Sequence, residues 1–160
     1  MLAERLAKSL PGAAVFLCRG QLRKTMQRCW HEYDALVCIM ASGIVVRTLA
    51  PLIKDKRKDP AVVVCDEHGQ FAVSLLSGHL GGANALAGRV AAITGGRAVI
   101  TTASDVQGRT ALDLWAQDLG LVVADRDGLS RAMGKLVNQG SVMLSSDYPL
   151  PQLPEDMRLH

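Results

Sequence analysis

The chain has 160 residues, enough to bury a core in one domain, or in one domain and part of a second, without disulfides or a structural metal. Its formal charge of +3 hints at acidic ligands but is too small to mark a nucleic-acid binder. The longest charge-free run, residues 68–88, holds five glycines and six polar side chains, so it is not a membrane span. Hydrophobic residues make up 49% but aromatic residues only 4%, which suits α/β layers packed by Ala, Val and Leu.

The elements follow in order. Leu2 to Leu10 is helical, with Leu2, Leu6 and Leu10 on one stripe, and Pro11-Gly12 ends it. Ala13 to Cys18 reads as a short apolar strand, and Gln21 to Tyr33 as a second helix. Ala35 to Met40 is a continuous apolar run, the mark of a strand buried on both faces of a parallel sheet. Ala41-Ser42-Gly43 turns into a helix from Ile44 to Leu52, with Ser42 as its expected N-cap. Residues 54–59 form a charge run, read as an exposed loop in preference to an anion clamp.

Ala61 to Cys65 and Phe71 to Leu76 are strands joined by Asp66-Glu67-His68-Gly69. So short a connection predicts a hairpin, and therefore a mixed sheet. A glycine-rich turn follows, then a helix running to about Thr94 that Gly95-Gly96 stops. Ala98 to Thr101 is a strand ending in a hydroxyl-rich turn, and Thr110 to Leu119 is helical. Beyond Gly120 the pattern predicts a strand at 121–124, a helix at 129–137, a strand at 141–144 and an irregular tail marked by Pro149, Pro151 and Pro154. The expected fold is a three-layer α/β/α domain over 1–118 whose mostly parallel sheet contains one hairpin. Residues 119–160 form a partial middle region, the beginning of a small second α/β unit.

The four cysteines, Cys18, Cys29, Cys38 and Cys65, form no CxxC pair and read as buried, reduced thiols of a cytoplasmic protein; no secretory signal is visible. The four histidines are scattered, without metal-ligand spacing, so no metal site is expected.

The chemistry concentrates on Ser77-Gly78-His79-Leu80-Gly81-Gly82, which is neither a Walker A loop nor GxGxxG. Gly81 and Gly82 leave backbone bare at a helix start, where N–H groups favour an anion. They equally suit a sharp turn and close helix packing, and spacing alone does not choose. His79 is the candidate for proton transfer, against the common alternative of a capping or packing histidine. Ser77 does not sit in a GxSxG elbow, so it is read as a binding residue with Gly78 and Asn84. Glu67 is a second acid/base candidate only if the hairpin tip folds back over the cleft. Ser42 and Gly43 could bind a carboxylate or phosphate, and Thr101 and Thr102 a polar substrate.

The blocks ASGIVVR at 41–47, DPAVVVCDE at 59–67, LLSGHLGGAN at 75–84 and ITTASD at 100–105 resemble the CbiG family of anaerobic cobalamin biosynthesis, in that order. The resemblance covers roughly residues 35 to 110, and LLSGHLGGAN is its most specific part. It implies a cobalt-precorrin-5A hydrolase, which opens a δ-lactone on the contracted corrinoid ring and releases acetaldehyde to give cobalt-precorrin-5B. The substrate carries many carboxylates and its own cobalt, so no protein cofactor is implied. Relative to the family, the chain is expected to lack the first strand and a C-terminal CobE-like domain. It then reads as split or truncated, and inactivity on its own is one expectation. The partners implied are the corrinoid substrate and a CobE-like domain, with neither nucleic acid nor membrane; a homo-oligomer is compatible with the sequence. Two alternatives stay open: a non-catalytic corrinoid-binding module that needs a separate C-terminal domain, and a nucleotide- or phosphate-binding α/β domain.

Overall fold

The computed structural model describes residues 1–150 and 152–160; Pro151, expected in the irregular tail, lies outside them. Two compact units divide the chain at Ile100/Thr101. That boundary precedes the one expected after residue 118, because the helix near 112–118 buries Leu112 with Leu136 and Met157 of the second unit.

The first unit contains β1 (Ala35–Ile39), β2 (Ala61–Cys65), β3 (Phe71–Leu76) and β4 (Arg97–Val99), which form a four-stranded sheet in that order. β1 and β2 are parallel, β2 and β3 antiparallel, and β3 and β4 parallel. The expected hairpin is therefore present inside a mostly parallel sheet. β2 is wholly apolar and every residue of it is buried, as a central strand covered on both faces requires.

Alternation along β2 builds two cores. Ala61, Val63 and Cys65 face α1 (Leu2–Ser9) and α4 (Ala83–Thr94), where Leu6, Ala83, Ala87 and Val90 pack. Val62 and Val64 face α2 (Leu22–Glu32) and α3 (Ser42–Leu49), where Met26, Trp30, Val45 and Leu49 pack. The small residues of α4 recur at helical spacing and let it lie close on the sheet. A register shift between Val62 and Val63 pairs Val62 with Leu76 and Val63 with Ser74. Leu75 is the extra residue of this bulge, and both Leu75 and Leu76 pack on the α2/α3 side.

Several expectations fail locally. Ala13 to Cys18 joins no ladder, and Val15, Phe16 and Leu17 remain exposed. Its apolar pattern suits a strand, yet a strand also needs a neighbour with open hydrogen bonds. The segment is anchored through side chains instead: the Phe16 ring meets Tyr33 edge-on at 5.6 Å, and the Arg28 guanidinium lies 5.1 Å from its centre. Cys18 accordingly is not fully buried, unlike the other three cysteines. Ser42 is the first residue of α3, not its cap; Ala41 holds that position.

The second unit holds the short helix α5 (Ala103–Val106), then α6 (Leu112–Asp118) and α7 (Arg126–Gln139), with a two-stranded parallel sheet of β5 (Val142–Leu144) and β6 (Met157–Leu159). Residues 121–124 are not a strand; Leu121 and Val122 are exposed. The tail expected to be irregular supplies β6. Asp156 fastens it by accepting the Thr110 N–H at 2.8 Å and the Thr110 hydroxyl at 2.6 Å.

Candidate functional site

Strand direction decides which candidate residues can meet. The carboxyl end of β1 lies beside the carboxyl end of β2, where the Met40 N–H donates to the Cys65 carbonyl at 3.2 Å. β3 runs the other way, so its carboxyl end lies beside the start of β2. Ser42 and Gly43 therefore share one end of the sheet with the hairpin tip Asp66–Gly69. The glycine-rich turn occupies the opposite end. The six residues of β3 put about 16 Å between the two ends. This keeps two groups of candidate residues apart. Glu67 does not fold back toward His79, and Ser42-Gly43 does not form a cleft wall with the glycine-rich turn. Carboxyl ends of neighbouring strands gather at one edge only while the sheet stays parallel.

The glycine-rich turn is built by close approach. Ser77 adopts a positive φ of 58°, a left-handed conformation uncommon for a residue with a Cβ. Its hydroxyl donates to the Asp59 carbonyl at 3.0 Å. A Cβ at Gly81 would lie 2.4 Å from the Ser77 Cβ, and one at Gly78 would lie 2.8 Å from the Asn84 Oδ1. Gly82 caps α4 with φ 84°, where glycine carries no steric penalty. The Asn84 amide oxygen accepts the Ser74 hydroxyl at 2.6 Å, tying the first turn of α4 to β3.

These contacts consume donors. The Gly82 N–H donates to the His79 carbonyl at 2.7 Å, the Ala83 N–H to the Ser77 carbonyl at 3.1 Å and the Asn84 N–H to the Gly78 carbonyl at 3.0 Å. A helix start offers an anion only the amides its own loop leaves over. Gly82 is therefore a conformational residue here and not a donor to a substrate carboxylate. His79 is half-buried in the turn, and Leu80 and Gly81 are exposed beside it.

The loop before β2 belongs to the same end of the sheet. Asp59 is buried and accepts the Lys54 and Asp55 amides on one oxygen, Oδ2, at 2.8 and 2.9 Å. Asp55 forms a bidentate pair with Arg57 at 2.7 and 2.6 Å. The Arg57 hydrogen bonds hold the Asp55 carboxyl far below the usual carboxylate range. Reading the sequence for motifs missed Asp59, since it looks like one more charge in a charged run.

Thr101 and Thr102 open the second unit, and Thr102 caps α5. Burial raises the Cys29, Cys38 and Cys65 thiols, Cys38 to about 12, so they stay protonated. Among the described residues, no group of three or more His, Cys, Asp or Glu is placed to hold a metal ion, and no helix is long and apolar enough to cross a membrane. Two surface concavities among the described residues, about 350 and 560 Å3, are lined by α1 and by α7 with β5 respectively, and neither includes a residue of the glycine-rich turn.

A mixed α/β sheet with a hydrogen-bonded Ser-Gly-His-Leu-Gly-Gly turn at one end, flanked by a basic loop, is the class of domain that these features define. The family model described as cobalamin synthesis G N-terminal matches residues 24–105, and the chain belongs to that family. It is 49% identical over 150 residues to a cobalt-precorrin-5A hydrolase of Salmonella typhimurium, covering 86% of this chain and 41% of the relative. It is 41% identical over 123 residues to the Priestia megaterium cobalt-precorrin-5A hydrolase, covering 77% of this chain and 33% of the relative. The chain thus spans less than half the length of these curated relatives. The crystal structure of a cobalamin biosynthesis protein G homologue from Sulfolobus solfataricus superposes with a TM-score of 0.55 at 21% identity, over 98% of this chain and 47% of the other, which supports the fold.

Proposed function

We propose that the chain is the N-terminal part of a cobalt-precorrin-5A hydrolase of cobalamin biosynthesis, and that the glycine-rich turn is its reactive end. The observation that carries this reading is the position of His79. It is the one imidazole in the family-matching LLSGHLGGAN block, and it sits in a turn braced by Ser77, Gly81 and Asn84. In this mechanism the His79 imidazole activates water against the δ-lactone carbonyl or carries the proton. Ser77 and Asn84 hold the turn, and Gly78 and Gly81 let them close against its backbone. The released two-carbon unit leaves as acetaldehyde, and the ring product is cobalt-precorrin-5B. Cobalt travels with the substrate and needs no ligand from the protein. The setting is the cytoplasm.

Anaerobic incubation with cobalt-precorrin-5A, with acetaldehyde read through coupled NADH oxidation, tests the proposal. Release above the protein-free rate is expected. No release, either alone or with a separately expressed CobE-like C-terminal domain, overturns it. A second reading is a corrinoid-binding module whose turnover appears only when that domain is added. A nucleotide- or phosphate-binding role has less support, because three amides at the start of α4 are spent inside the turn.

A further inference from the structure

We infer that Lys54, Lys56 and Lys58 form a carboxylate-recognition edge beside the glycine-rich turn, gripping the acidic rim of the substrate. The substrate's identity rests on the hydrolase reading above; the placement of the charges does not.

Four observations converge. First, the loop and the turn occupy the same end of the sheet, joined by the 3.0 Å bond from the Ser77 hydroxyl to the Asp59 carbonyl. Second, the loop backbone is held in place. Asp59 Oδ2 accepts the amides of Lys54 and Asp55, and the Asp55 carbonyl accepts those of Lys58 and Asp59 at 2.9 and 2.8 Å. Third, the loop's own carboxylates are spent: Asp55 on Arg57, and Asp59 on backbone amides. Fourth, Lys54, Lys56 and Lys58 are all exposed, and among the described residues no carboxylate lies within ion-pair distance of them.

An ordinary solvated charge run needs no such frame. With Arg57, the three lysines outnumber Asp55 and Asp59 by two charges, and Asp55 beside Lys58 offsets their mutual repulsion only in part. A ligand carrying several carboxylates on a wide, flat ring relieves it. Holding the loop rigid lowers the ordering cost of binding, because the backbone is already in place. Exposed charges of this kind act on affinity and its salt dependence, and leave the bond-breaking step alone. The lysines therefore recognise substrate, while the chemistry stays with the turn.

The test compares the full chain with K54Q/K56Q/K58Q and, as a control, K24Q in the first turn of α2. Two readouts are taken: fluorescence titration with uroporphyrin, a flat tetrapyrrole octacarboxylate, and KM and kcat for cobalt-precorrin-5A. Each exposed pair contributes about twofold, so the triple variant weakens uroporphyrin binding and raises KM about tenfold, with kcat unchanged. The wild-type affinity falls steeply with added NaCl, and the variant's falls much less. K24Q matches wild type in both. Wild-type affinity, KM and salt slope in the triple variant overturn the inference. If wild type releases no acetaldehyde, alone or with the separately expressed CobE-like domain, but the uroporphyrin titration responds as described, the hydrolase reading fails and the carboxylate edge stands. If turnover is normal and neither readout moves, the edge fails and the hydrolase reading stands.

Discussion

The Ser77 hydroxyl donates to the Asp59 carbonyl across 3.0 Å, and this bond joins the glycine-rich turn to the basic loop. Ser77 holds its left-handed φ of 58° while making it. The two effects separate by substitution. Ser77→Ala loses the bond and keeps the strain, and lowers unfolding free energy by about 1 kcal/mol. Ser77→Gly also loses the bond but relieves roughly 1 kcal/mol of left-handed strain, and stays near wild type. Urea denaturation of the pair checks the order.

Asp59 offers a second separation. Both amides that it accepts go to the single oxygen Oδ2. An asparagine oxygen can accept the same two bonds without the charge. Asp59→Ala leaves two amides unpaired and costs about 1–3 kcal/mol, whereas Asp59→Asn retains most of the stability. Equal midpoints for the two variants in thermal unfolding would contradict this account of the loop.

Gly81 and Gly88 make a matched contrast. A Cβ at Gly81 meets Ser77 at 2.4 Å, while one at Gly88, inside α4, meets nothing within 4 Å. Gly81→Ala destabilises by about 2 kcal/mol or more, since the obstacle includes backbone. Gly88→Ala stabilises by about 0.5–1 kcal/mol through helix propensity. Denaturant midpoints that move in opposite directions confirm the pair.

The hairpin tip supplies a pH dependence. The Phe71 N–H, with weaker help from Gln70 and His68, holds the Asp66 carboxyl below its ordinary value of 3.8 against a smaller opposing effect of burial. The folded chain thus binds this proton at lower pH than the unfolded chain. The resulting stability is full above 3.8 and drains away as pH falls through the lower, folded value. Asp66→Asn removes that contribution, and its urea midpoint changes less than wild type between about pH 5 and pH 2.5.

The central hairpin was legible in the sequence. Ala61 to Cys65 is a pure apolar run, Gly69 marks the turn, and Phe71 to Leu76 follows at once. The same hairpin already held the reason that Ser42 and Glu67 cannot join His79, since an antiparallel pair exchanges its ends. Treating strand ends as neighbours overlooked that consequence. Ala13 to Cys18 misled for another reason: an apolar hexamer carries the same pattern whether or not a ladder awaits it. β6, three residues beyond a proline-rich stretch, is too short to show a period. That the glycine-rich stretch turns sharply could be read from its glycines. Which amides it leaves for a ligand could not, because that depends on hydrogen bonds the fold makes only in three dimensions. Asp59 was hidden similarly, its burial being set by β2 and the loop together.

The claim that the reactive end of the sheet is the glycine-rich turn is tested most directly by comparing His79→Ala with Glu67→Ala for acetaldehyde release from cobalt-precorrin-5A. These residues lie at opposite ends of β3. Loss of a general acid/base lowers release from His79→Ala by about 100-fold or more, while Glu67→Ala stays within about twofold of wild type. Undiminished release by His79→Ala, or its loss in Glu67→Ala, would contradict the account.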